Sequence, residues 1–324
     1  MKIAVVGVGA VGGYFGGRLA AAGQDVAFLA RGATLDALRR RGLVVDSVDG
    51  DFAIDPVLAT DDAAAVGPVD AVIFGVKAWQ VEDAAHRSLA LFGPETCALP
   101  LQNGVEAPAA LARAVGSERT LGGLCKIYAQ AAGPGHVRHL GVAPAIELGE
   151  LAGGGSPRVE RLRRALEQAG VRARVPASIL AAMWEKFLFI VPTSAVGAVT
   201  RSPLGEVREL PESRALLVEA TREIWRLARA RGVPVADDAV ERTLAFVDGL
   251  PPEATASMHR DLVAGRPSEL EAQGGAVVRL AAESGVAVPV NRVLYAALVP
   301  AERRARAAAE AAGPGGRRAP TPRP

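Results

Sequence analysis

Three glycines lie close to the amino terminus, at a spacing that suits a phosphate-binding turn. They follow a short β-branched apolar run and precede a helical pattern, and the residues concerned are Gly7, Gly9, Ala10, Val11 and Gly12. The first glycine permits a tight turn, the second lets the backbone approach a pyrophosphate, and the third lets helix and strand pack closely. The N–H groups at the start of the helix then face the phosphates. The sequence therefore predicts a dinucleotide-binding loop.

Arg31 bears on which dinucleotide this loop would bind. Proteins that bind NAD usually carry an acid near the end of the second strand, where it accepts a hydrogen bond from the ribose 2′-hydroxyl. Here that strand ends in Phe28–Arg31 without an acid, and Asp25 lies at its other end. An arginine suits a 2′-phosphate, and such a charge-assisted contact is worth about 1.5–3 kcal/mol. The sequence favours NADPH, with an ordinary loop arginine as the alternative.

Lys186 is the residue best suited to acid chemistry. It lies in a strongly apolar helical stretch, after Trp184 and before Phe187. Addition of hydride to a ketone develops negative charge on the carbonyl oxygen, and a protonated lysine can neutralise that charge. The alternative is a lysine at the edge of the helix whose ammonium reaches solvent and pairs with Glu185. The residues alone leave both interpretations open.

Three further polar residues stand where ligands are commonly bound. Lys77 follows the apolar run Asp70–Gly75, and Asn103 follows the run Cys97–Leu101. The carboxyl ends of parallel strands form the ligand-binding edge of an open α/β sheet. The alternatives are a solvated lysine and a simple Asn-Gly turn. Glu269 lies in a polar turn that enters a helix, where a carboxylate also stabilises the helix dipole.

The pattern of elements indicates how these residues are positioned. Strand and helix signals alternate through the first third, and residues Gly133–Glu150 suggest a pair of short strands around turns. This alternation predicts an α/β fold with an N-terminal Rossmann domain, a doubly wound parallel sheet, over 1–176. Helical periods then predict an all-helical catalytic and substrate domain over 177–302. The last residues, 303–324, are rich in Arg, Ala, Gly and Pro and predict a disordered tail.

Composition restricts the remaining classes of function. The chain has 324 residues, a formal net charge of +2 and two cysteines, Cys97 and Cys125. Near-neutral charge gives no reason to expect a nucleic-acid or membrane partner. His136 and His139 are three residues apart but have no supporting ligand nearby, so no metal site is predicted. We expect a cytoplasmic enzyme with a small-molecule substrate, and the apolar helices are compatible with either a homodimer or core packing.

A series of short motifs, in their order and spacing, resembles the ketopantoate reductase (2-dehydropantoate 2-reductase) family. The resemblance extends from Met1 to about Ala301. After the glycine loop, its motifs are Val76–Val81 (VKAWQV), Leu101–Val105 (LQNGV), Trp184–Phe187 (WEKF), Pro203–Glu206 (PLGE), Ser257-Met258, Arg266–Leu270 (RPSEL) and Gly285–Pro289 (GVAVP).

The resemblance implies a reaction and a set of site residues. Members of this family reduce the 2-oxo group of ketopantoate with NADPH, giving pantoate for pantothenate synthesis. Lys186 matches the general acid of the family, and Glu269 matches the glutamate that holds the substrate. Asn103 and Lys77 match residues near the nicotinamide and the substrate, and Ser257 matches a serine that meets the substrate carboxylate.

Several positions depart from the family pattern. Ile190 and Ser194 stand four and eight residues after Lys186, where the best-known form has asparagines that contact substrate; Ser194 is kept as a predicted substrate contact. Gly274-Gly275 replaces an Asn-Gly pair. Loss of a hydrogen-bonding amide changes discrimination between substrates. The alternatives are therefore a reductase of a different 2-oxo acid or ketone, and a non-catalytic NADPH-binding regulator.

Overall fold

The structure, a computed structural model, describes residues 1–312 and divides into two units. The first is Met1–Trp184 and the second begins at Glu185, within the helix Ile179–Thr200. The strands are β1 (Lys2–Val6), β2 (Asp25–Leu29), β3 (Leu43–Ser47), β4 (Phe52–Ile54), β5 (Leu58–Thr60), β6 (Val69–Phe74), β7 (Phe92–Pro100), β8 (Leu121–Gly133), β9 (His136–Glu150) and β10 (Arg172–Arg174). The helices are α1 (Ala10–Ala21), α2 (Gly32–Arg41), α3 (Ala63–Val66), α4 (Val81–Arg87), α5 (Ala107–Val115), α6 (Pro157–Gln168), α7 (Ile179–Thr200), α8 (Leu204–Glu209), α9 (Pro211–Ala230), α10 (Ala239–Asp248), α11 (Ser257–Val263), α12 (Ala276–Ser284) and α13 (Pro289–Ala312).

A parallel five-stranded sheet forms the centre of the first unit. Its strand order is β5-β2-β1-β6-β7, with every neighbouring pair parallel. The side chains of β1 alternate between two apolar clusters, with Ile3 and Val5 in one and Ala4 and Val6 in the other. Because both faces of the strand are covered, its side chains are buried on either side, which explains the apolar run at 3–6 that follows Lys2. This sheet confirms the predicted Rossmann architecture.

A second, mixed sheet was not foreseen from the sequence. Its order is β10-β9-β3-β4, and β8 pairs with β9 in an antiparallel hairpin. The prediction of a pair of short strands over Gly133–Glu150 was wrong, because β9 alone runs through 15 residues. Gly141, with φ 143°, and Val142, with φ 60°, belong to an irregularity inside the strand and not to a turn between two strands. Such bulges bend a strand without ending it.

Helix α1 packs between the two sheets. A Cβ atom added at Gly13 would lie 2.8 Å from Val137 of β9, and one added at Gly17 would lie 2.9 Å from Leu43 of β3. Both distances are too short for an unmoved side chain. The glycines of α1 that follow the phosphate-binding motif therefore allow the second sheet to approach the helix closely.

Helix α7 is the most apolar helix of the chain's second half. By length and composition alone it could cross a membrane, and 61% of the relevant window is buried within the protein. One such helix is weak evidence, because the core helix of a soluble protein passes the same test. Its residues Ala195, Val196 and Ala198 join the apolar core of the second unit, where they meet helices α8, α9, α11 and α13.

The carboxyl-terminal part of the chain departs from the expected tail at 303–324. Helix α13 continues to Ala312, because Leu298, Glu302 and Ala305 recur at a helical spacing and are all buried. Ala305, which the composition of the segment assigned to a disordered tail, is therefore buried in the core. The remainder of the predicted tail, 313–324, lies outside the described residues. The boundary predicted near residue 176 falls in the segment before α7.

Candidate active site

The glycine loop forms a tight turn between β1 and α1. Gly7 has φ 93°, and its N–H donates to the carbonyl of Leu29 at 3.1 Å. An added Cβ would come 2.5 Å from Val76 at Gly7 and would overlap the Gly7 carbonyl oxygen at Gly12. At Gly9, by contrast, no described atom lies within 4 Å of the Cβ position. Close packing within the protein therefore requires glycine at Gly7 and Gly12, whereas Gly9 faces open space.

The start of α1 can receive an anion at that open space. Gly9 is the N-cap residue, no side chain caps the helix, and the first turn carries no acid. Helix geometry leaves the N–H groups of Ala10, Val11 and Gly12 without an acceptor inside the helix. The first intrahelical bond runs from the N–H of Gly13 to the carbonyl of Gly9, at 2.8 Å. These features fit the pyrophosphate of a nicotinamide dinucleotide.

Four predicted cofactor or substrate positions follow four neighbouring strands at one edge of the sheet. The glycine loop follows β1, Arg31 follows β2, Lys77 follows β6 and Asn103 follows β7. This edge is formed by the carboxyl ends of the strands. From β1 the chain continues to β2 on one side, while β6 lies on the other side of β1, and open α/β sheets bind ligands at such a point. Arg31 is exposed and is the N-cap residue of α2. The structure thus brings these predicted residues to a common edge.

Lys77 opens a 3₁₀ turn, Ala78–Gln80, beside the strand end. Its backbone N–H donates to Gln80 Oε1 at 3.2 Å, and its Nζ lies 6.0 Å from the ring centroid of Trp79. An ammonium over an indole face is stabilised by the negative potential of the ring. The exposed Lys77 side chain therefore makes a cation–π contact with Trp79.

Gln102, which the sequence analysis did not single out, links two of these strand ends. Its Nε2 donates to the carbonyls of Phe74 at 2.8 Å and Val76 at 2.9 Å. The side chain is buried, and its Oε1 has no hydrogen-bond partner among the described residues. Gln102 thus holds the segment before Lys77 against the end of β7, directly before Asn103. A glutamine placed before an Asn-Gly pair at a strand end is the signal that could have found it.

In the second unit, candidate residues recur along one side of α7. Lys186, Ile190 and Ser194 are each four residues apart, so successive members turn by roughly 40° around the helix axis. Lys186 and Ile190 are half-buried, whereas Ser194 is 1% exposed. Glu185, considered above as a partner for the lysine, forms an ion pair with Arg242 of α10 at 2.8 Å.

Ser257 is the first residue of α11 and is exposed. The helix is packed against α7 through His259, since a Cβ added at Gly197 would lie 2.8 Å from His259 Nδ1. Burial, and secondarily the charge of Arg260, lower the pKa of His259 below its ordinary value. The imidazole is therefore neutral at physiological pH and acts as a packing group between α11 and α7.

Glu269 is buried in the second unit, with 7% of its surface exposed. It lies two residues before a π-helical turn, Glu271–Gly275, and the N–H of Gly275 donates to the carbonyl of Leu270 at 2.9 Å. Such π turns occur frequently at functional sites. Gly274, at the position of a family asparagine, faces the ring of Tyr295, which would lie 3.4 Å from an added Cβ.

Metal and thiol chemistry receive no support in the part of the chain that the structure describes. Within residues 1–312, no group of three or more His, Cys, Asp or Glu could hold a metal ion. Cys97 and Cys125 are both buried. Burial raises the pKa of Cys97 to about 11, so that thiol is protonated at neutral pH.

Comparison with known proteins decides the family. The family model described as Ketopantoate reductase PanE/ApbA matches residues 3–153, and the model described as Ketopantoate reductase PanE/ApbA C terminal matches residues 178–302. The chain belongs to the ketopantoate reductase family. It is accordingly an oxidoreductase with a nicotinamide cofactor, and the resemblance drawn from its motifs is confirmed.

Relatives of this family member cover nearly its whole length. It is 33% identical to a 2-dehydropantoate 2-reductase of Halobacterium salinarum, over 91% of this chain and 96% of that protein. It is 32% identical to the uncharacterized oxidoreductase YkpB of Bacillus subtilis, over 92% and 98%. The solved 2-dehydropantoate 2-reductase of Geobacter metallireducens superimposes with a TM-score of 0.86 at 33% identity, over 93% of this chain and all of that one.

Proposed function

We propose that this ketopantoate reductase family member is a cytoplasmic enzyme that uses NADPH to reduce the 2-oxo group of ketopantoate, giving pantoate for pantothenate synthesis. The observation that carries the proposal is the placement of Lys186, at the family's general-acid position, half-buried on α7 in the same unit as the buried Glu269. Relatives with the name 2-dehydropantoate 2-reductase support the choice of substrate.

Lys186 would supply the proton of the reaction. The nicotinamide cofactor, when bound, supplies a hydride, which would form the new C–H bond at the carbonyl carbon of the substrate. The carbonyl oxygen then needs one proton, and Nζ of a protonated lysine donates it. A half-buried ammonium is effective because charge interactions strengthen where water is partly excluded. After the transfer the lysine is neutral and regains its proton from solvent.

Glu269 and Ser257 would hold the two ends of the substrate. A buried carboxylate repels the carboxylate of a 2-oxo acid, so Glu269 is suited to accept a hydrogen bond from the hydroxyl group of ketopantoate. The exposed hydroxyl of Ser257 can donate to the carboxylate end. A substrate without a hydroxyl cannot make this hydrogen bond, and a hydrogen bond to a charged group is worth about 1.5–3 kcal/mol.

Arg31 is the basis for proposing NADPH over NADH. It follows β2 at the edge where the glycine loop lies, because the N–H of Gly7 donates to the last residue of that strand, Leu29. In this fold the ribose that carries the 2′-phosphate is bound beside that strand end. A guanidinium there would bind the phosphate with two parallel hydrogen bonds.

A second candidate function is reduction of a different 2-oxo acid, and Ile190 favours it. This residue is half-buried one turn after Lys186 and offers no hydrogen bond where the family has an amide. An apolar side chain at this position suits a substrate with an aliphatic group in place of a hydroxyl.

A substrate panel tests both candidates. Oxidation of NADPH by the purified protein would be measured with ketopantoate, with 2-oxoisovalerate, which is branched but lacks the hydroxyl, and with phenylpyruvate. Selective turnover of ketopantoate supports the proposed function, and turnover confined to another acid supports the second candidate. NADPH binding without turnover of any 2-oxo acid would favour the regulator. Ile190→Asn restores the family amide, so it should raise kcat/KM for ketopantoate relative to 2-oxoisovalerate, and Ile190→Val serves as the apolar control.

A further inference from the structure

A buried carboxylate on α13 holds the segment that carries Glu269. Glu302 is 3% exposed and accepts three hydrogen bonds from Ser268. The backbone N–H of Ser268 donates to Oε2 at 3.0 Å and to Oε1 at 3.2 Å, and its Oγ donates to Oε2 at 2.6 Å. Arg306, one turn further along α13, forms an ion pair with Glu302 at 2.6 Å and donates to the carbonyl of Ser268 at 2.9 Å.

The same contacts fix the peptide groups on both sides of Glu269. Before it, the N–H and the carbonyl of Ser268 are both bound from α13. After it, the N–H of Leu270 donates back to Ser268 Oγ at 3.2 Å. Glu269 therefore projects from a short segment whose backbone is held at three points, while none of these contacts uses its own carboxylate.

Stability alone is a poor explanation for this arrangement. A buried ion pair costs about as much in lost hydration as it returns, and a well-packed apolar side chain often stabilises a fold equally well. Glu302 and Arg306 balance one another in charge, so the pair anchors the segment without adding net charge beside Glu269. The network is therefore suited to placing a carboxylate accurately, which apolar packing does less well.

We propose that Glu302, acting through Ser268, is the positioning residue for the substrate-binding carboxylate Glu269. The inference rests on the proposed role of Glu269 in holding the substrate. Glu302 binds Ser268 and Arg306, and its effect on the reaction arises from the placement of Glu269. A misplacement of about 1 Å in such a site can cost up to ~10²-fold in rate.

The chain contains a matched control. Glu223 is also a fully buried carboxylate of the second unit, and it also accepts two backbone N–H bonds, from Val290 and Asn291 at 2.9 Å. Its third partner is the side-chain amide of Asn291, at 2.8 Å. This carboxylate binds the start of α13 and no candidate site residue. Glu302→Gln and Glu223→Gln thus each remove the charge of a buried carboxylate that binds backbone N–H groups, and Glu302→Gln in addition removes the ion pair with Arg306.

The experiment compares the two variants in the full-length protein. For Glu302→Gln we expect KM for the 2-oxo acid that is turned over to rise ~10-fold or more, with the Kd for NADPH within twofold of the parent. Glu223→Gln should lower Tm by a similar amount without changing KM. Ser268→Ala should reproduce the rise in KM. The double variant Ser268→Ala with Glu302→Gln should have a KM no higher than that of either single variant, because both changes remove the same Ser268–Glu302 contact. If Glu302→Gln does not fold, Ser268→Ala carries the test.

Amide hydrogen exchange provides a readout independent of activity. Glu302→Gln should speed exchange at Leu270 and Gln273, whereas Glu223→Gln should not. Unchanged exchange and unchanged KM in Glu302→Gln, or an equal rise of KM in Glu223→Gln, would overturn the inference. Glu269→Gln distinguishes a failure of the positioning role from a failure of the proposed function. If Glu269→Gln leaves KM unaltered, the substrate role of Glu269 fails. If Glu269→Gln raises KM and Glu302→Gln leaves it unaltered, only the positioning role of Glu302 fails.

Discussion

Substituting two glycines of the same loop should separate the stability of the fold from cofactor binding. Gly9 and Gly12 both belong to the phosphate-binding motif, but they face different surroundings. A Cβ added at Gly12 would overlap the carbonyl oxygen of Gly7 and lie 3.2 Å from Val5 Cγ1, whereas no described atom lies within 4 Å of one added at Gly9. Gly9 is also in an extended conformation that alanine adopts readily.

The magnitudes follow from these distances. Gly12→Ala forces α1 away from the strand, and overpacking of this kind costs about 1–3 kcal/mol. For a domain of about 150–250 residues, each kcal/mol lowers Tm by about 2–4 °C. Gly9→Ala exchanges one N-cap residue for a poorer one, at a cost of about 1 kcal/mol or less. Its methyl group, however, occupies the space intended for a phosphate, and loss of one charge-assisted hydrogen bond weakens binding by about 10- to 100-fold.

The assay measures both quantities on both variants. NADPH is titrated by its fluorescence to obtain Kd, and unfolding is followed by heat to obtain Tm. We expect Gly9→Ala to keep a Tm close to that of the parent and to lose NADPH affinity. Gly12→Ala should lower Tm substantially. The reasoning is refuted if Gly9→Ala binds NADPH as tightly as the parent, or if Gly12→Ala is as stable as the parent.

Further variants test single contacts. Lys186→Ala should bind NADPH normally and lose about 10²–10⁴-fold in kcat, the usual range for a general acid, and near-normal turnover would remove it from that role. Arg31→Ala should weaken NADPH by about 10- to 100-fold and leave NADH nearly unchanged, whereas equal losses for both cofactors contradict a phosphate contact. Gln102→Leu should lower the free energy of unfolding by about 1–3 kcal/mol, measured in urea, because a strand-end carbonyl loses its donor. Arg158 lowers the pKa of Glu150, chiefly by hydrogen bonding, so this pair stabilises the fold above the ordinary carboxyl pKa and less as pH falls through the lowered one. Arg158→Met should therefore destabilise the protein at pH 7 and much less in acid, and a penalty independent of pH would contradict this pairing.

The features that could be predicted from the sequence depend on local spacing. The parallel sheet was predictable because β1 is apolar after Lys2 and the glycine motif follows it at once. The second sheet was not predictable, because it joins β3 to β9 in parallel, with Val44 opposite His136. Such a pairing leaves no periodic signal in either segment. The glycines within β9 also suggested turns, since sequence alone cannot distinguish a bulge from a chain reversal.

The same limit applies to the candidate active site. Lys186, Glu269 and Arg31 could be selected because their types and neighbours suggest chemistry. Only its place before an Asn-Gly pair could have pointed to Gln102, and no local signal pointed to Glu302, since each acts on backbone carbonyls or N–H groups that are distant in the sequence. Glu302 lies 34 residues from Ser268, which it binds. Before the fold is known, a glutamate in an Arg- and Ala-rich helix is indistinguishable from a solvated one.

These supporting contacts bear on how the substrate of such an enzyme could change. In each unit, a buried side chain from another element holds the backbone next to a candidate residue: Gln102 holds the segment before Lys77, and Glu302 holds the segment that carries Glu269. Ile190 takes no part in these networks, although it stands where the family has an asparagine. Its substitution can therefore alter the chemistry offered to a substrate without disturbing the placement of Lys186 or Glu269. We accordingly expect Ile190→Asn to change the preference among 2-oxo acids while Tm and the NADPH Kd stay close to those of the parent. A loss of NADPH affinity in that variant would show that the substrate position and the cofactor site are not independent.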